Sequence, residues 1–252
     1  MSGLRLTVHR ATQQIGGNCI ELASPDGSRL FLDVGRPLDA PESATNLLPD
    51  TVDTSTDCLG VLISHPHQDH YGLLGELPAG WPVYCGAASE QLIRLTAAIR
   101  GGMFSQSFRN WHSKQPFQLG TFRITPYLTD HSAFDAYMLL IEAAGRRILY
   151  SGDFRRHGRK SSLVQHLLDH PPADLDVLLL EGTNLGSDKP VMTEAQLEQD
   201  FLALLRQTHG RVFVAWSAQN IDRTVTLYRA CRQSGRILVV DLYCGTGIAV
   251  AG

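Results

Sequence analysis

The sequence has few cysteines, few lysines and no long apolar segment. None of its apolar runs approaches the roughly 18 residues that a membrane-spanning helix requires. Its N-terminal residues alternate like a strand and lack the apolar block of a signal peptide. The five cysteines are odd in number and include no Cys-x-x-Cys pair, which argues against a disulfide framework. We therefore expect reduced thiols, a cytoplasmic location and no membrane partner.

The chain also lacks a strong charge of either sign. A net charge of −3 over 252 residues excludes bulk electrostatic attraction to nucleic acid or to an anionic membrane, so such affinity would need a local basic patch. Hydrophobic residues make up 43% and charged residues 19%, which excludes a disordered or low-complexity chain. The length suits one large domain or one domain with a smaller partner.

The pattern of residues 1–186 predicts a mixed α/β domain. An Asp-Gly pair between two apolar runs predicts a β-hairpin at residues 24–27. The continuous apolar run 59–63 is typical of a strand that is buried on both faces. Further strands are predicted at 4–8, 122–124, 137–142, 147–150 and, as a buried strand, 177–180, with helices at 87–100 and 161–169.

The periodicity changes near residues 186–190, where we place a boundary between a domain of residues 1–186 and a domain of residues 187–252. The first element after it is a helix predicted over 193–208, with Thr193 as its N-cap. The apolar face predicted for this helix comprises Leu197, Phe201, Leu204 and Leu205.

The rest of the second domain predicts a β-α-β unit. Apolar runs at 212–214 and 237–240 flank a helix predicted over 220–233, and such units are normally parallel and right-handed. Residues 244–252 are mostly small and apolar and include no signal that ends a helix or strand. This is expected of a chain that ends before its last domain is complete.

The most informative segment is a histidine–aspartate cluster between Ser64 and Gly72. It follows the buried strand, so its four potential metal ligands lie on the loop at the carboxyl end of that strand. A tight loop can divide them, with the first two directed at one metal ion and the other two at a second. The four residues are His65, His67, Asp69 and His70. Imidazole and carboxylate ligands suit Zn²⁺, and other first-row metals are possible.

The spacing His-x-His-x-Asp-His resembles the signature of the metallo-β-lactamase fold, an αββα sandwich of hydrolases. Asp33, His131 and Asp153 stand in sequence contexts similar to further motifs of that family. The resemblance implies that Asp33 supports the metal loop without binding metal. It implies two zinc ions, the first held by His65, His67 and His131, and the second by Asp69, His70 and a bridging Asp153.

Two further segments resemble the β-CASP branch, which includes ribonuclease J-like and polyadenylation-endonuclease-like proteins. Residues 14–19 are similar to its Gly-Gly-Asn turn, and Glu181 with its neighbours is similar to the first β-CASP motif. Residues 190–241 resemble the opening of the β-CASP insertion. The resemblance therefore implies an α/β protein in which a metallo-β-lactamase sandwich is followed by a partial β-CASP-like β-α-β segment.

The chain departs from the β-CASP pattern after residue 190. Family members carry further histidines there, one of which completes the second zinc site, whereas this sequence has only His209, at a predicted helix end. The resemblance thus implies a second site that lacks its last ligand, in a chain that corresponds to the front part of a longer enzyme.

A basic run begins two residues after Asp153. It comprises Arg155, Arg156, His157, Arg159 and Lys160. Next to a hydrolytic metal centre such a run could hold phosphate groups, and the alternative interpretation is a solvated surface loop.

The leading hypothesis is zinc-dependent hydrolysis of phosphodiester bonds in RNA processing or decay, with RNA or another nucleic acid as partner. Asp69 would orient the attacking hydroxide, and Glu181 would position another group. One alternative is a thioester or lactone hydrolase of the same fold. Another is an inactive fragment that binds metal or RNA. The sequence leaves open whether the protein forms homo-oligomers.

Overall fold

The computed structural model describes residues 3–251; Met1, Ser2 and Gly252, at the outer ends of the two expected domains, lie outside the described residues. Two β-sheets and six α-helices make up this part of the chain. The first sheet has the order β1-β2-β3-β4-β5-β6 and the second the order β11-β10-β9-β8-β7. The strands are β1 Arg5–Arg10, β2 Cys19–Ala23, β3 Arg29–Val34, β4 Val61–Leu62, β5 Val83–Gly86, β6 Phe108–Trp111, β7 Phe117–Leu119, β8 Phe122–Leu128, β9 Tyr137–Ala143, β10 Arg146–Tyr150 and β11 Val177–Leu179. The helices are α1 Gln68–Tyr71, α2 Ala87–Ile99, α3 Ser161–Asp169, α4 Glu194–Gln207, α5 Ile221–Gln233 and α6 Leu242–Ala251.

The main apolar core lies between the two sheets. Leu30 and Leu32 of β3 are fully buried in it. Leu139 and Ile141 of β9 are buried in the same cluster, together with Phe122. Because side chains two apart on a strand share a face, each of these strands presents one continuous apolar surface to the other sheet.

The outer faces of both sheets are covered by helices. Phe31 of β3 belongs to a second buried cluster with Tyr71 of α1 and Ile93 of α2. On the other side, Leu140 of β9 lies in a third cluster against which Leu167 of α3 packs. The architecture is therefore the expected αββα sandwich, and its central strands are buried on both faces.

The edge of the second sheet corrects one expectation. The run 177–180 forms the predicted strand, but it is not buried, since Val177 and Leu178 are 37% and 53% exposed. In the described part of the chain this strand pairs only with β10 and forms the sheet edge, so part of its surface has no covering layer there.

Helix α4 begins where the sequence predicts it. The Thr193 side chain accepts a hydrogen bond from the Gln196 amide, which is the predicted cap of α4. The predicted apolar face is partly wrong, because Leu204 is 47% exposed whereas Leu202 and Leu205 are buried against α5. The face is shifted because α5 covers only one side of α4.

The predicted β-α-β unit has its helix but not its strands within residues 3–251. Residues 212–214 and 237–240 form no β-ladder, although their side chains alternate between packed and exposed. Val212 and Leu238 pack against the α4–α5 cluster, whereas Phe213 and Ile237 are 91% and 89% exposed. An isolated pair of parallel strands is marginally stable, which accounts for the missing ladder.

The small apolar tail folds as α6, which the sequence analysis did not predict. This helix packs on α2, where the Tyr243 and Thr96 hydroxyls are 2.8 Å apart. None of the helices within residues 3–251 is long and apolar enough to cross a membrane. All five cysteines are in the described part of the chain, and none forms a disulfide there.

Candidate metal centre

The histidine loop connects β4 to the short helix α1. His65 is fully buried at the end of the strand, and His70 is buried within the helix. The loop brings the two rings together, with centroids 3.9 Å apart, and the ring of His67 lies 4.9 Å from that of His65. The loop therefore brings the imidazoles of His67 and His70 against that of His65.

His131 reaches the same point from the connection between β8 and β9. Its ring centroid lies 4.6 Å from that of His65 and 5.0 Å from that of His67. Its Nε2 atom lies 3.2 Å from Nδ1 of His67. One nitrogen from each of these three histidines falls within 4.8 Å of the others, which brings together the residues expected on the first ion.

Asp153 approaches the histidines from the end of β10. Its Oδ1 atom lies 3.5 Å from Nε2 of His70, and these two residues form a second group with His65 in which the ligand atoms are within 4.8 Å of one another. The Oδ2 atom of Asp69 lies 3.7 Å from the same nitrogen. All six expected ligands thus share one site, although the assignment of each to a particular ion stays a prediction.

The chemistry of the buried imidazoles fits a metal ion. Nε2 of His65 and Nε2 of His70 are buried and have no hydrogen-bond partner among the described residues, an arrangement that is costly unless another partner is supplied. Burial lowers the pKa of His65 well below its usual value, and it lowers the pKa of His131 to about 3. These rings are therefore neutral and carry a free lone pair, as a ligand to Zn²⁺ must.

His70 has a different environment from the other histidines. Although burial opposes protonation, the Asp33 carboxylate raises the pKa of His70 well above its usual value, and Asp153 acts in the same direction. His70 Nδ1 donates to Asp33 Oδ2 at 2.7 Å. This contact directs Nε2 at the centre and keeps a proton on Nδ1, so the proton that a metal ion would displace is the one on Nε2.

Asp33 supports the loop through several hydrogen bonds, as the sequence analysis expected. Its carboxylate is fully buried and accepts from the Ser64 amide at 2.7 Å, from the Ser64 hydroxyl at 2.8 Å and from the Tyr150 hydroxyl at 2.6 Å. Its backbone is left-handed, with φ of 56°, a conformation that aspartate tolerates better than most residues. Tyr150 was not among the residues predicted from the sequence, and its position three residues before Asp153 was the available signal.

Two glycines allow the surrounding backbone to approach the metal loop. A Cβ on Gly35 would lie 1.6 Å from the carbonyl oxygen of Asp69, which also accepts from the Asn18 amide at 3.1 Å. Gly152 has φ of 51°, and its Cβ would lie 2.9 Å from that of Ser64. The chain can therefore enter and leave the centre only with glycine at these positions.

Glu181 lies at the end of β11 and holds the backbone beyond Asp153. One carboxylate oxygen accepts from the Phe154 amide at 2.8 Å, and the other accepts from the Thr183 amide at 3.4 Å. Glu181 and Asp153 also line a cavity of about 610 Å³ that extends away from the centre. The carboxylate predicted to position another group therefore contacts the backbone amide next to Asp153.

The basic run lies beside the centre but is largely engaged with acidic side chains of this chain. Arg155 pairs with Asp130 and Asp222, and Nζ of Lys160 lies 3.7 Å from Asp222. Nη2 of Arg159 lies 2.7 Å from Oε2 of Glu198.

The two remaining members of the run have other surroundings. Nη2 of Arg156 donates to Oε1 of Gln165 at 2.8 Å. Burial and the neighbouring Arg155 lower the pKa of His157. A phosphate-binding role for the run stays a prediction, and the structure adds that three of its five members already have carboxylate partners.

Asp135 is a second structural residue that the sequence analysis missed. The residue preceding α2 is Gly86, which has no side chain to cap the helix. Asp135 supplies the missing acceptor, since its carboxylate accepts from the Ser89 amide at 2.9 Å and from the Tyr137 hydroxyl at 2.7 Å. A predicted helix without a capping residue was the signal for such a distant partner.

Comparison with known proteins places the chain in a family. A family model described as a beta-lactamase superfamily domain matches residues 30–227. A crystal structure of a protein of unknown function from Enterococcus faecalis V583 has a TM-score of 0.82 at 20% identity; the match covers 96% of this chain and 66% of that chain, and it shows the fold.

Curated relatives include ribonuclease J of Helicobacter pylori, 25% identical over 244 residues, with 88% of this chain and 34% of that protein covered. Ribonuclease J of Mycobacterium tuberculosis is 26% identical over 247 residues, with 93% and 44% covered. The chain thus spans less than half the length of these relatives. Since the family model matches most of the sequence and the sandwich carries the histidine site, this chain belongs to the beta-lactamase superfamily and has the metallo-β-lactamase fold.

Proposed function

We propose that this protein is a zinc-dependent hydrolase that cleaves phosphodiester bonds in RNA. The observation that carries the proposal is the convergence of buried imidazoles and carboxylates on one point, where Nε2 of His65 and Nε2 of His70 have no hydrogen-bond partner among the described residues. Its relatives named ribonuclease J support RNA as the substrate.

In this proposal His65, His67 and His131 hold one ion, and Asp69, His70 and Asp153 hold the second. Bound zinc supplies Lewis acidity and lowers the pKa of a water molecule, which makes it a nucleophile near neutral pH. The chain contributes the positions of the ligands and their protonation states. Asp33 keeps His70 in the required tautomer, and burial keeps the other histidines neutral.

Asp69 is the residue proposed to orient the nucleophile. Its carboxylate is only partly buried, and its Oδ2 atom lies 3.7 Å from the ligating nitrogen of His70. A carboxylate so placed can accept a hydrogen bond from the attacking water and direct its lone pair at phosphorus. Glu181 acts less directly, since it holds the Phe154 amide and with it the backbone next to Asp153.

The replacement Glu181→Gln is expected to weaken, but not abolish, RNA cleavage. The glutamine side chain keeps one oxygen acceptor but places its NH₂ group opposite a backbone N–H. The backbone amide of either Phe154 or Thr183 therefore loses its hydrogen-bond acceptor. We expect zinc affinity to fall about tenfold, as for other groups that orient metal ligands. Competition with a chromophoric chelator measures this affinity, and affinity equal to that of the unmodified protein would show that Glu181 does not position Asp153.

A substrate panel tests the proposed function itself. Labelled single-stranded RNA, an S-acylated glutathione thioester and an acyl lactone are each incubated with the zinc-loaded protein and with protein stripped by a chelator. The expected result is cleavage of RNA that is lost on chelation and restored by zinc. Thioester or lactone hydrolysis without RNA cleavage would contradict the proposal, and zinc binding without any turnover would indicate a non-catalytic metal-binding protein.

One observation favours an acyl substrate as a second candidate. The cavity beside Asp153 is bordered by exposed aliphatic side chains, among them Leu178 and Leu180. Among residues 3–251 the one arginine or lysine that lines it is Arg10, whose guanidinium already donates to the Gly35 and Leu47 carbonyls. A partly apolar groove that is lined by two carboxylates and one already engaged arginine suits an acyl chain better than a run of phosphates.

A further inference from the structure

A buried ion-pair network connects the metal centre to the C-terminal helices. Asp130 directly precedes His131 and is fully buried. Its carboxylate accepts from the Gly158 amide at 2.7 Å and lies 3.3 Å from Nε of Arg155. Arg155 in turn donates to Asp222 in the first turn of α5. The side chains of Arg155 and Asp222 are only 10% and 9% exposed, so these charges interact with little screening by water.

Backbone contacts hold the same turn. The Arg155 amide donates to the Asp130 carbonyl at 2.6 Å. A Cβ on Gly158 would lie 2.1 Å from Oδ1 of Asp130, so the loop wraps closely around the carboxylate. A backbone bridge also joins Ala133 to Asn220, the N-cap residue of α5. The loop that carries His131 is therefore tied to α5 both through side chains and through the backbone.

Asp222 is the point at which several contacts converge. Its carboxylate accepts from the Arg159 amide at 3.0 Å, in addition to its contacts with Arg155 and Lys160. An acidic residue in the first turn of a helix is also stabilised by the exposed amides there. Loss of the Asp222 charge would leave the nearly buried Arg155 guanidinium with Asp130 as its one remaining carboxylate partner. Removing one partner of a buried ion pair is strongly destabilising.

We infer that Arg155 and Asp222 are positioning residues: docking of α5 on Arg155 holds Asp130, and through it His131, in the place required for metal binding. His131 is the one member of its histidine group that comes from outside the β4–α1 loop, so its position depends on contacts that the loop cannot provide. Metal ligation tolerates displacements of only about 0.2 Å. The inference depends on the metal centre and is independent of the substrate.

The test compares zinc affinity in Asp222→Asn and Arg155→Met with that of the unmodified protein. Competition with a chromophoric chelator is expected to show about tenfold weaker binding in both variants. The absorption spectrum of the Co²⁺-loaded protein should change, because it reports the ligand geometry. In the metal-free protein, the NMR signals of the His131 ring should shift.

The control is Arg223→Met, which removes another ion pair from the same helix. Arg223 pairs with the buried Glu194 of α4 and has no hydrogen bond or ion pair with Asp130. Its zinc affinity and Co²⁺ spectrum should match those of the unmodified protein even if its melting temperature falls.

Two results would overturn the inference. One is unchanged affinity and an unchanged Co²⁺ spectrum in folded Asp222→Asn. The other is an equal loss of affinity in Arg223→Met, which would show that the network only stabilises the fold. If Arg155→Met does not fold, the result for Asp222→Asn decides whether the inference holds, because the asparagine side chain retains the shape of the aspartate carboxylate. Affinity is measured without substrate, so failure here is distinct from failure of the RNA hydrolase proposal.

Discussion

Replacement of Asp69 by alanine should slow RNA cleavage by about 10²- to 10⁴-fold, the usual contribution of a positioned proton acceptor. Among the described residues the ion-pair contact of this side chain is with Nε2 of His70 at 3.7 Å. The fold should therefore survive the change. Single-turnover cleavage of labelled RNA, with zinc content measured in the same sample, separates loss of chemistry from loss of metal.

His67→Ala should have an equally large effect for a different reason. The imidazole of His67 lies in the three-histidine group, so its removal should lower the zinc content of the purified protein. Asp39→Ala is a suitable control, because Asp39 is exposed. Cleavage at the unmodified rate in either Asp69→Ala or His67→Ala would refute the assignment of the centre.

Asp33→Asn should cause the largest loss of stability among the variants considered. Aspartate and asparagine both tolerate the left-handed backbone at this position, so the change tests the carboxylate alone. The amide would place an NH₂ group among the donors of Ser64, His70 and Tyr150 and leave at least one of them unsatisfied. Loss of a buried charged partner costs about 3–5 kcal/mol.

Urea unfolding of the metal-free protein measures this loss without interference from zinc. Zinc affinity of the folded fraction should also fall, by roughly 10- to 100-fold, because His70 loses the group that fixes its tautomer. Asp39→Asn provides the matched control on an exposed aspartate. An unfolding midpoint within error of the unmodified protein would show that the Asp33 network is dispensable.

The elements that the sequence predicted well are those with local signals. Helix α3 spans Ser161–Asp169, as predicted, and α4 begins after the Thr193 cap. The Asp-Gly hairpin joins β2 to β3. In each case the residues that determine the element lie within it or directly beside it in the sequence, so no tertiary information is needed.

Elements that depend on distant partners were predicted less well. The runs at 212–214 and 237–240 have strand composition but form no ladder within residues 3–251, because a strand also needs a neighbour. The tail became α6 because it packs against α2, whose position no local pattern reveals. The surface of β11 is exposed because it lies at a sheet edge, and edge position is a property of the whole sheet.

The basic run shows, within the site, the same difference between local sequence signals and contacts with distant residues. From the sequence, Arg155 and its neighbours were a phosphate-binding candidate or a solvated loop. The structure brings Asp222 and Glu198 against them from α5 and α4. Only the folded chain shows that carboxylates already neutralise part of this basic surface.

By itself the sequence predicted the histidine loop, because four candidate ligands stand within six residues after a buried strand. For His131 and Asp153 it offered only their likeness to family motifs, and the structure confirmed that they lie beside the loop. Tertiary structure alone decided the supporting contacts of Asp33, Tyr150 and Arg155. These contacts join residues far apart in the chain, and their energies depend on burial, which is decided when the two sheets pack.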